Sequence, residues 1–424
     1  MIATAIRRVR GRRVWDSRGR PTVEAEVELE SGVTGRAIAP AGASTGSGEA
    51  VDLRDAGGFD VRGAVANVNG CIARALVGAD ATDQENIDRL LRDADGTTDK
   101  RKLGGNALIA VSMATLHAAA AAHGQPLWRY LAPDATCLPL PEVQIFGGGA
   151  HAARRIDIQD LMVVCPAARS FAEALDRTAA IYRAAGVYLA GRHLLQGVAD
   201  EGGYWPVFES NEDALDALVR AIESAGLVPG SDAAISLDIA ASQFRSAAGY
   251  RLSRDGRVLD TDGLIELLGR WIERYPIISI EDPLAEDDSE GFRRFTAAFG
   301  SKVQVIGDDL LVTNAARVRD AAAARLCNAV LIKPNQAGTI TETLAALGAA
   351  RESGMAAIVS ARSGESEDVT IVHLAVGWKA AQLKVGSFAR SERMAKWNEA
   401  LRIEEALGAG ATLARPFPKF QEQT

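Results

Sequence analysis

Ile277–Asp287 reads IISIEDPLAED, and the fold turns on it. Ile277, Ile278 and Ile280 form the β-branched run of a buried strand, which Pro283 then stops. Glu281 and Asp282 therefore stand where a strand hands over to a loop, with Glu286 and Asp287 just beyond. Unpaired buried charge is costly, so this group calls for a partner such as a cation. Similar strand ends recur. Ala233–Leu237 runs into Asp238, Val303–Ile306 into Asp308 and Asp309, and Ala329–Ile332 into Lys333. Met355–Val359 runs into Ser360, Arg362 and Ser363, and Gln382–Lys384 is a weaker sixth case.

From Glu281 onward these ends recur about every 22 to 29 residues with helical stretches between, the rhythm of an α/β barrel. In such barrels the loops after the strands build the site. Asp238, Glu281 and Asp308 would then converge on one hard divalent cation, Mg²⁺ being the natural choice for all-oxygen ligands. The competing reading makes each acid a helix N-cap or a surface ion-pair partner. It fits any one of them, but three at successive strand ends less well.

The 424 residues, 47% of them hydrophobic, suffice for one large core and a smaller domain. A net charge of −8 argues against a general nucleic-acid binder but leaves room for a locally positive pocket. Cys71, Cys137, Cys165 and Cys327 form no CxxC pair, which points to reduced thiols rather than a thiolate metal site. The basic N-terminus lacks the apolar core of a signal peptide. Ala107–Ala122 is alanine-rich and shorter than the roughly 20 apolar residues of a membrane span, so it is expected to be a buried helix. The expectation is a soluble, cytoplasmic protein with neither membrane nor nucleic acid as partner.

Thr22–Glu30, TVEAEVELE, alternates strictly and predicts a half-buried antiparallel strand, with Val33–Ala39 returning beside it. Helices are expected at Ala50–Asp55, Gly63–Leu76, Thr82–Arg92 and Asn106–Ala122. This makes residues 1–135 a small α+β domain and 136–424 a barrel domain, divided within Leu131–Pro141. Ala41–Glu49, AGASTGSGE, reads as a mobile loop or lid, and without a lysine it is no nucleotide-binding P-loop. Gly147–Ala152 mimics a dinucleotide turn, but a strand rather than a helix follows it, so the match fails. Strands at Leu138–Phe146 and Ile158–Val164 are expected to form a hairpin, followed by helices at Ser170–Leu189 and Asn211–Ala225. Between these helices lies the acidic, glycine-rich loop VADEGGYWP, residues 198–206. The last helix, Ser391–Leu407, is expected to be purely structural, with Met394, Trp397 and Leu401 along one side and Glu392 paired with Lys396. His117, His123, His193 and His373 read as packed or solvated side chains, whereas His151 sits in a glycine-rich turn near Gln159 and Asp160.

Taken together, DSRGRPTVEAEV, GASTG, GGGAHA, DEGGYWP, SLDIAASQF, SIEDPLAEDD, VIGDDLLVTN, LIKPNQAGT, ARSGESED and ARSERMAKWN resemble the enolase family over nearly the full chain. The resemblance implies an N-terminal α+β domain and an enolase-type β2α2(βα)6 TIM-like barrel, usually dimeric. It implies that Asp238, Glu281 and Asp308 hold a first Mg²⁺, and that Ser44 touches a second arriving with substrate. Lys333 is similar to the family's general base and Glu201 to its general acid. Lys384 would hold the substrate carboxylate, Arg362 and Ser363 its phosphate, and Gln159 and His151 would line the pocket. A lysine base must be partly neutral, which a cation-rich pocket favours, and Glu201 must be protonated, which burial favours.

The sequence also departs from the family pattern. Ala361 replaces a pocket histidine, Asp160 a glutamate, and Gly48 the histidine before Glu49. Gln144 and Gly147 replace two asparagines. Three functions are therefore weighed: enolase-type dehydration, another Mg²⁺-dependent α-proton abstraction such as racemisation, and a non-catalytic binding role. The retained acid, base and phosphate residues favour dehydration. The smaller residues at the phosphate end favour a bulkier phosphorylated or phosphonylated analogue, as in the carboxyphosphonoenolpyruvate synthase branch, over 2-phosphoglycerate itself.

Overall fold

The computed structural model describes residues 3–417. Met1, Ile2 and residues 418–424, assigned above to the two domains, lie outside the described residues. Strands Ile6–Trp15, Pro21–Leu29 and Thr34–Ile38 make an antiparallel sheet in chain order. The alternation in the second strand behaves as expected: Val23, Ala25, Val27 and Leu29 are buried. On the other face, Arg12 reaches Glu24 at 2.5 Å and Glu26 at 3.0 Å, so arginines of the neighbouring strand answer the row of glutamates.

Helix Gly105–Ala122 lies against this sheet. Its alanines let the backbones approach until a Cβ on Gly35 would lie 2.2 Å from the Ala114 oxygen. The helix is apolar enough to cross a membrane by composition, but 83% of it is buried inside the protein, and it serves as a core helix. The helix expected over Ala50–Asp55 does not form. The amides of Val51 and Leu53 bond to the Asp99 oxygen and the Asn106 side chain, and so tie this stretch down in irregular form. Six residues cannot nucleate a helix against such competition.

The second region is a closed eight-stranded barrel. Around it run Ile277–Glu281, Gln304–Gly307, Ala329–Ile332, Ala356–Ser360, Gln382–Gly386, Leu140–Gly147, Asp160–Val164 and Ala234–Asp238. Asp160–Val164 is antiparallel to both neighbours, and every other pairing is parallel. Helices Phe171–Gly191 and Asn211–Ser224 follow the hairpin, and six strand–helix units complete the β2α2(βα)6 order. The helices are capped by residues other than the carboxylates at the strand ends. Asp260, Asp288, Asn314 and Thr339 accept from their own first-turn amides.

The last helix, Ser391–Leu407, buries Arg393, Lys396, Trp397, Ala400 and Ile403, while Met394 and Leu401 are half-buried. Lys396 does not pair with the Glu392 carboxylate as expected. Its Nζ lies 3.0 Å from Glu365 Oε2 and 2.8 Å from the Ser366 oxygen, because its face of the helix turns inward. A buried ammonium takes the buried acid within reach.

Candidate active site at the barrel mouth

Three consecutive barrel strands end in carboxylates. Asp238 and Glu281 are register partners on adjacent strands, and Asp308 directly follows the third. Asp160 joins them although it begins its strand, because that strand runs antiparallel and is in register with Asp238. Lys333 follows Ala329–Ile332, which stands four places around the eight-stranded barrel from the strand of Asp160.

One cleft gathers Ser44, His151, Gln159, Asp160, Glu201, Asp238, Lys333, Ala361, Arg362, Ser363 and Lys384. Glu281 and Asp308 do not line it directly. Lys384 Nζ lies 2.7 Å from Glu281, 3.0 Å from Asp238 and 3.5 Å from Asp160. Lys333 Nζ is bonded to Asp308 Oδ2, whose other oxygen accepts from Gln336 at 2.9 Å. The three expected metal carboxylates are thus divided between two lysines. Among the described residues, the acidic triple with oxygens within 4.8 Å of one another is Asp282, Asp308 and Asp309. In that triple the Asp282 carboxylate accepts the amides of Asp308 and Asp309 at 3.0 and 2.8 Å, which is a structural use.

Burial and then the charge of Asp238 push the Glu281 carboxyl well above its ordinary range. Burial disfavours the charged form of Lys384, but Asp238, Glu281 and Asp160 outweigh it and raise its pKa. Burial likewise works against the charge on Lys333, yet Asp308 outweighs it and the pKa rises. That is opposite to the lowered value expected from a cation-rich pocket, because the carboxylate at hydrogen-bond distance dominates. The donor set fits a divalent cation. Glu281 Oε1 is buried without a hydrogen-bond partner, and buried carboxylate oxygens outnumber the ammonium groups that face them.

Across the cleft, His151 Nδ1 stands 3.6 Å from both Asp160 and Glu201, close enough for an ionic contact but too far for a hydrogen bond. Burial raises the Glu201 pKa against the opposing charge of His151. Gln159 donates to Asp238 at 2.8 Å and accepts from Gln243, which also accepts the Ala150 amide at 2.8 Å.

The loop 41–49 is folded onto the barrel. The Ala43 amide donates to Ser363 Oγ at 2.6 Å, and Ser47 donates to Glu286. Arg362 reaches Glu49 at 2.9 Å and the Ser44 oxygen at 2.9 Å. Ala361 is buried beside these groups. Gly48 opens no space, because a Cβ there would lie 2.5 Å from the Arg317 guanidinium. Asp160 is likewise engaged, by Gln144.

Arg393 escaped the sequence reading. It has no exposed side-chain surface and donates to the main-chain oxygens of Arg362, Ser363 and Val385, bracing the turn that carries Arg362 and Ser363. The signal available was its place in the motif ARSERMAKWN; helical periodicity alone marked its neighbours instead. Arg18, which donates to Ser363 Oγ at 3.3 Å, was also missed, since nothing local connects residue 18 to residue 363.

Two family descriptions match the chain. "Enolase, N-terminal domain" matches residues 6–131, and "Enolase, C-terminal TIM barrel domain" matches residues 135–417. With a barrel of this strand order and carboxylates at its mouth, the chain belongs to the enolase family.

Proposed function

We propose that the protein is a Mg²⁺-dependent enolase-type lyase that removes water from a 2-phosphoglycerate-like acid. The observation that supports this most directly is a single cleft with a lysine on one side and a buried acid cluster on the opposite side. Asp238, Glu281 and Asp308 would hold a divalent cation, and Ser44 would face a second. Bound there, the ions stabilise the negative charge that builds on a carboxylate when the adjacent carbon loses its proton.

Lys333 would take that proton as a neutral amine, once Asp308 is drawn into other interactions and the ammonium proton that it stabilises is lost to solvent. Lys384 neutralises the substrate carboxylate. Glu201, whose burial favours the protonated form, hands its proton to the β-hydroxyl, which leaves as water. Arg362 and Ser363 would orient the phosphate, and together with Glu201 they count against racemisation of a substrate that lacks one. In this reading Lys333→Ala abolishes α-proton exchange, whereas Glu201→Gln abolishes dehydration and leaves exchange measurable. Exchange at the wild-type rate in Lys333→Ala overturns the assignment of the base.

Within this class the phosphoryl end is read as accepting extra bulk, as in carboxyphosphonoenolpyruvate synthase. Ala361 motivates this, because it carries only a methyl beside Arg362 and Ser363 where the family pattern carries an imidazole. The alternative substrate is 2-phosphoglycerate. The test compares kcat/KM for both acids in wild type and Ala361→His. A wild-type preference for 2-phosphoglycerate that Ala361→His leaves unchanged refutes the enlarged pocket. The same reading takes the enzyme as a cytoplasmic homodimer acting on a small anionic substrate. Light scattering that gives the mass of one 44.7 kDa chain overturns the dimer.

A further inference from the structure

Gln144 is unused by the mechanism above, yet its side chain is almost fully buried at the acid end of the site. Its Oε1 accepts the Gly203 amide at 2.8 Å, and its Nε2 donates to Asp160 Oδ1. Gly203 lies two residues from Glu201, in a turn closed by the Gly202 amide on the Ala199 oxygen at 3.0 Å and the Ala199 amide on the Gly203 oxygen at 2.8 Å. Asp160 faces His151, and His151 faces Glu201. One amide therefore bridges Asp160 to the Glu201 turn, while His151 stands 3.6 Å from each of the two carboxylates. The amide packs close against two glycines, neither of which leaves space for a side chain. A Cβ on Gly203 would lie 2.5 Å from its oxygen, and a Cβ on Gly147 would lie 3.3 Å from its nitrogen.

We infer that Gln144 is a positioning residue for the proton-donating end of the site, and that its length is matched to that of Asp160. Against the family pattern, residue 144 is one methylene longer than the asparagine and residue 160 one methylene shorter than the glutamate. The two differences have opposite sign and lie on the two sides of a single contact, Gln144 Nε2 to Asp160 Oδ1. Shortening either side chain alone breaks the bond to Asp160, and lengthening Asp160 alone crowds the amide against the two glycines. In both cases the Glu201 turn loses its anchor, while Lys333, on the opposite strand, keeps its surroundings.

This inference rests on the dehydratase reading, and its test separates the two. Dehydration and α-proton exchange are measured in wild type, Gln144→Asn, Asp160→Glu and the double variant. Each single change should lower the ratio of dehydration to exchange about 10- to 100-fold, the scale of a misplacement near 1 Å. The double variant should recover to within about 3-fold of wild type, as strongly coupled neighbours do. The ratio does not depend on the fraction of enzyme folded. Independently of any substrate, Gln144→Ala should speed hydrogen exchange at the Gly203 amide. Single losses that multiply in the double variant, exchange that falls in step with dehydration, or unchanged Gly203 protection each overturn the inference. Wild type with neither activity on either acid overturns the dehydratase reading instead, and the Gly203 measurement still decides the clamp.

Discussion

Replacing Arg393 by methionine removes the three donations that hold the turn carrying Arg362 and Ser363. The guanidinium bonds the Arg362 oxygen at 2.6 Å, the Val385 oxygen at 2.9 Å and the Ser363 oxygen, with no side-chain surface exposed. A buried acceptor stripped of its donor costs about 1–3 kcal/mol. Three such oxygens, partly relieved as the main chain relaxes, put the loss at about 3–5 kcal/mol. Methionine keeps much of the length and bulk, so little of that loss is a cavity effect. Urea unfolding should show a lower midpoint at unchanged slope. If Arg362 and Ser363 hold the substrate phosphate as proposed, loosening the turn should raise KM more than it lowers kcat. Arg393→Lys, which keeps the charge but concentrates its donors on one nitrogen, should fall between. A loss below about 1 kcal/mol in Arg393→Met, the size of an ordinary substitution, would show that these bonds do not brace the turn.

Metal removal by EDTA should abolish turnover and Mg²⁺ should restore it. The same addition should raise the melting temperature of wild type more than that of Glu281→Gln, and full activity in metal-free protein would refute the cation site. A pH effect is expected at a histidine that does not line the cleft. Burial first, and then neighbouring His117, lower the His373 pKa to about 4 from 6.5, with Glu399 at 3.5 Å and Asp368 opposing. The unfolded chain takes up that proton first, so the contribution is complete above pH 6.5 and is lost as pH falls toward 4, up to about 3 kcal/mol. His373→Gln should flatten this part of the stability profile, and an unchanged slope would refute the assignment.

Local physics made the barrel legible from sequence. Apolar runs that end in charged or polar residues, repeated with helical stretches between, allow few other arrangements. Strand ends share one face of a barrel, so Asp238, Glu281, Asp308, Lys333 and Lys384 could be placed together from their positions alone. The short helix expected at Ala50–Asp55 failed because partners at Asp99 and Asn106 compete for its amides. Periodicity could mark Ser391–Leu407 as a helix but not show that Arg393 braces the turn carrying Arg362 and Ser363. Nor could spacing reveal which lysine sits on which carboxylate, that Arg317 fills the space at Gly48, or that Gln144 spans from Asp160 to Gly203. Those depend on distances between strands, fixed by barrel closure and register. Sequence determines which groups reach the mouth of the barrel; the packing of the closed barrel decides which of them touch, and therefore which charges are compensated and which are left to bind.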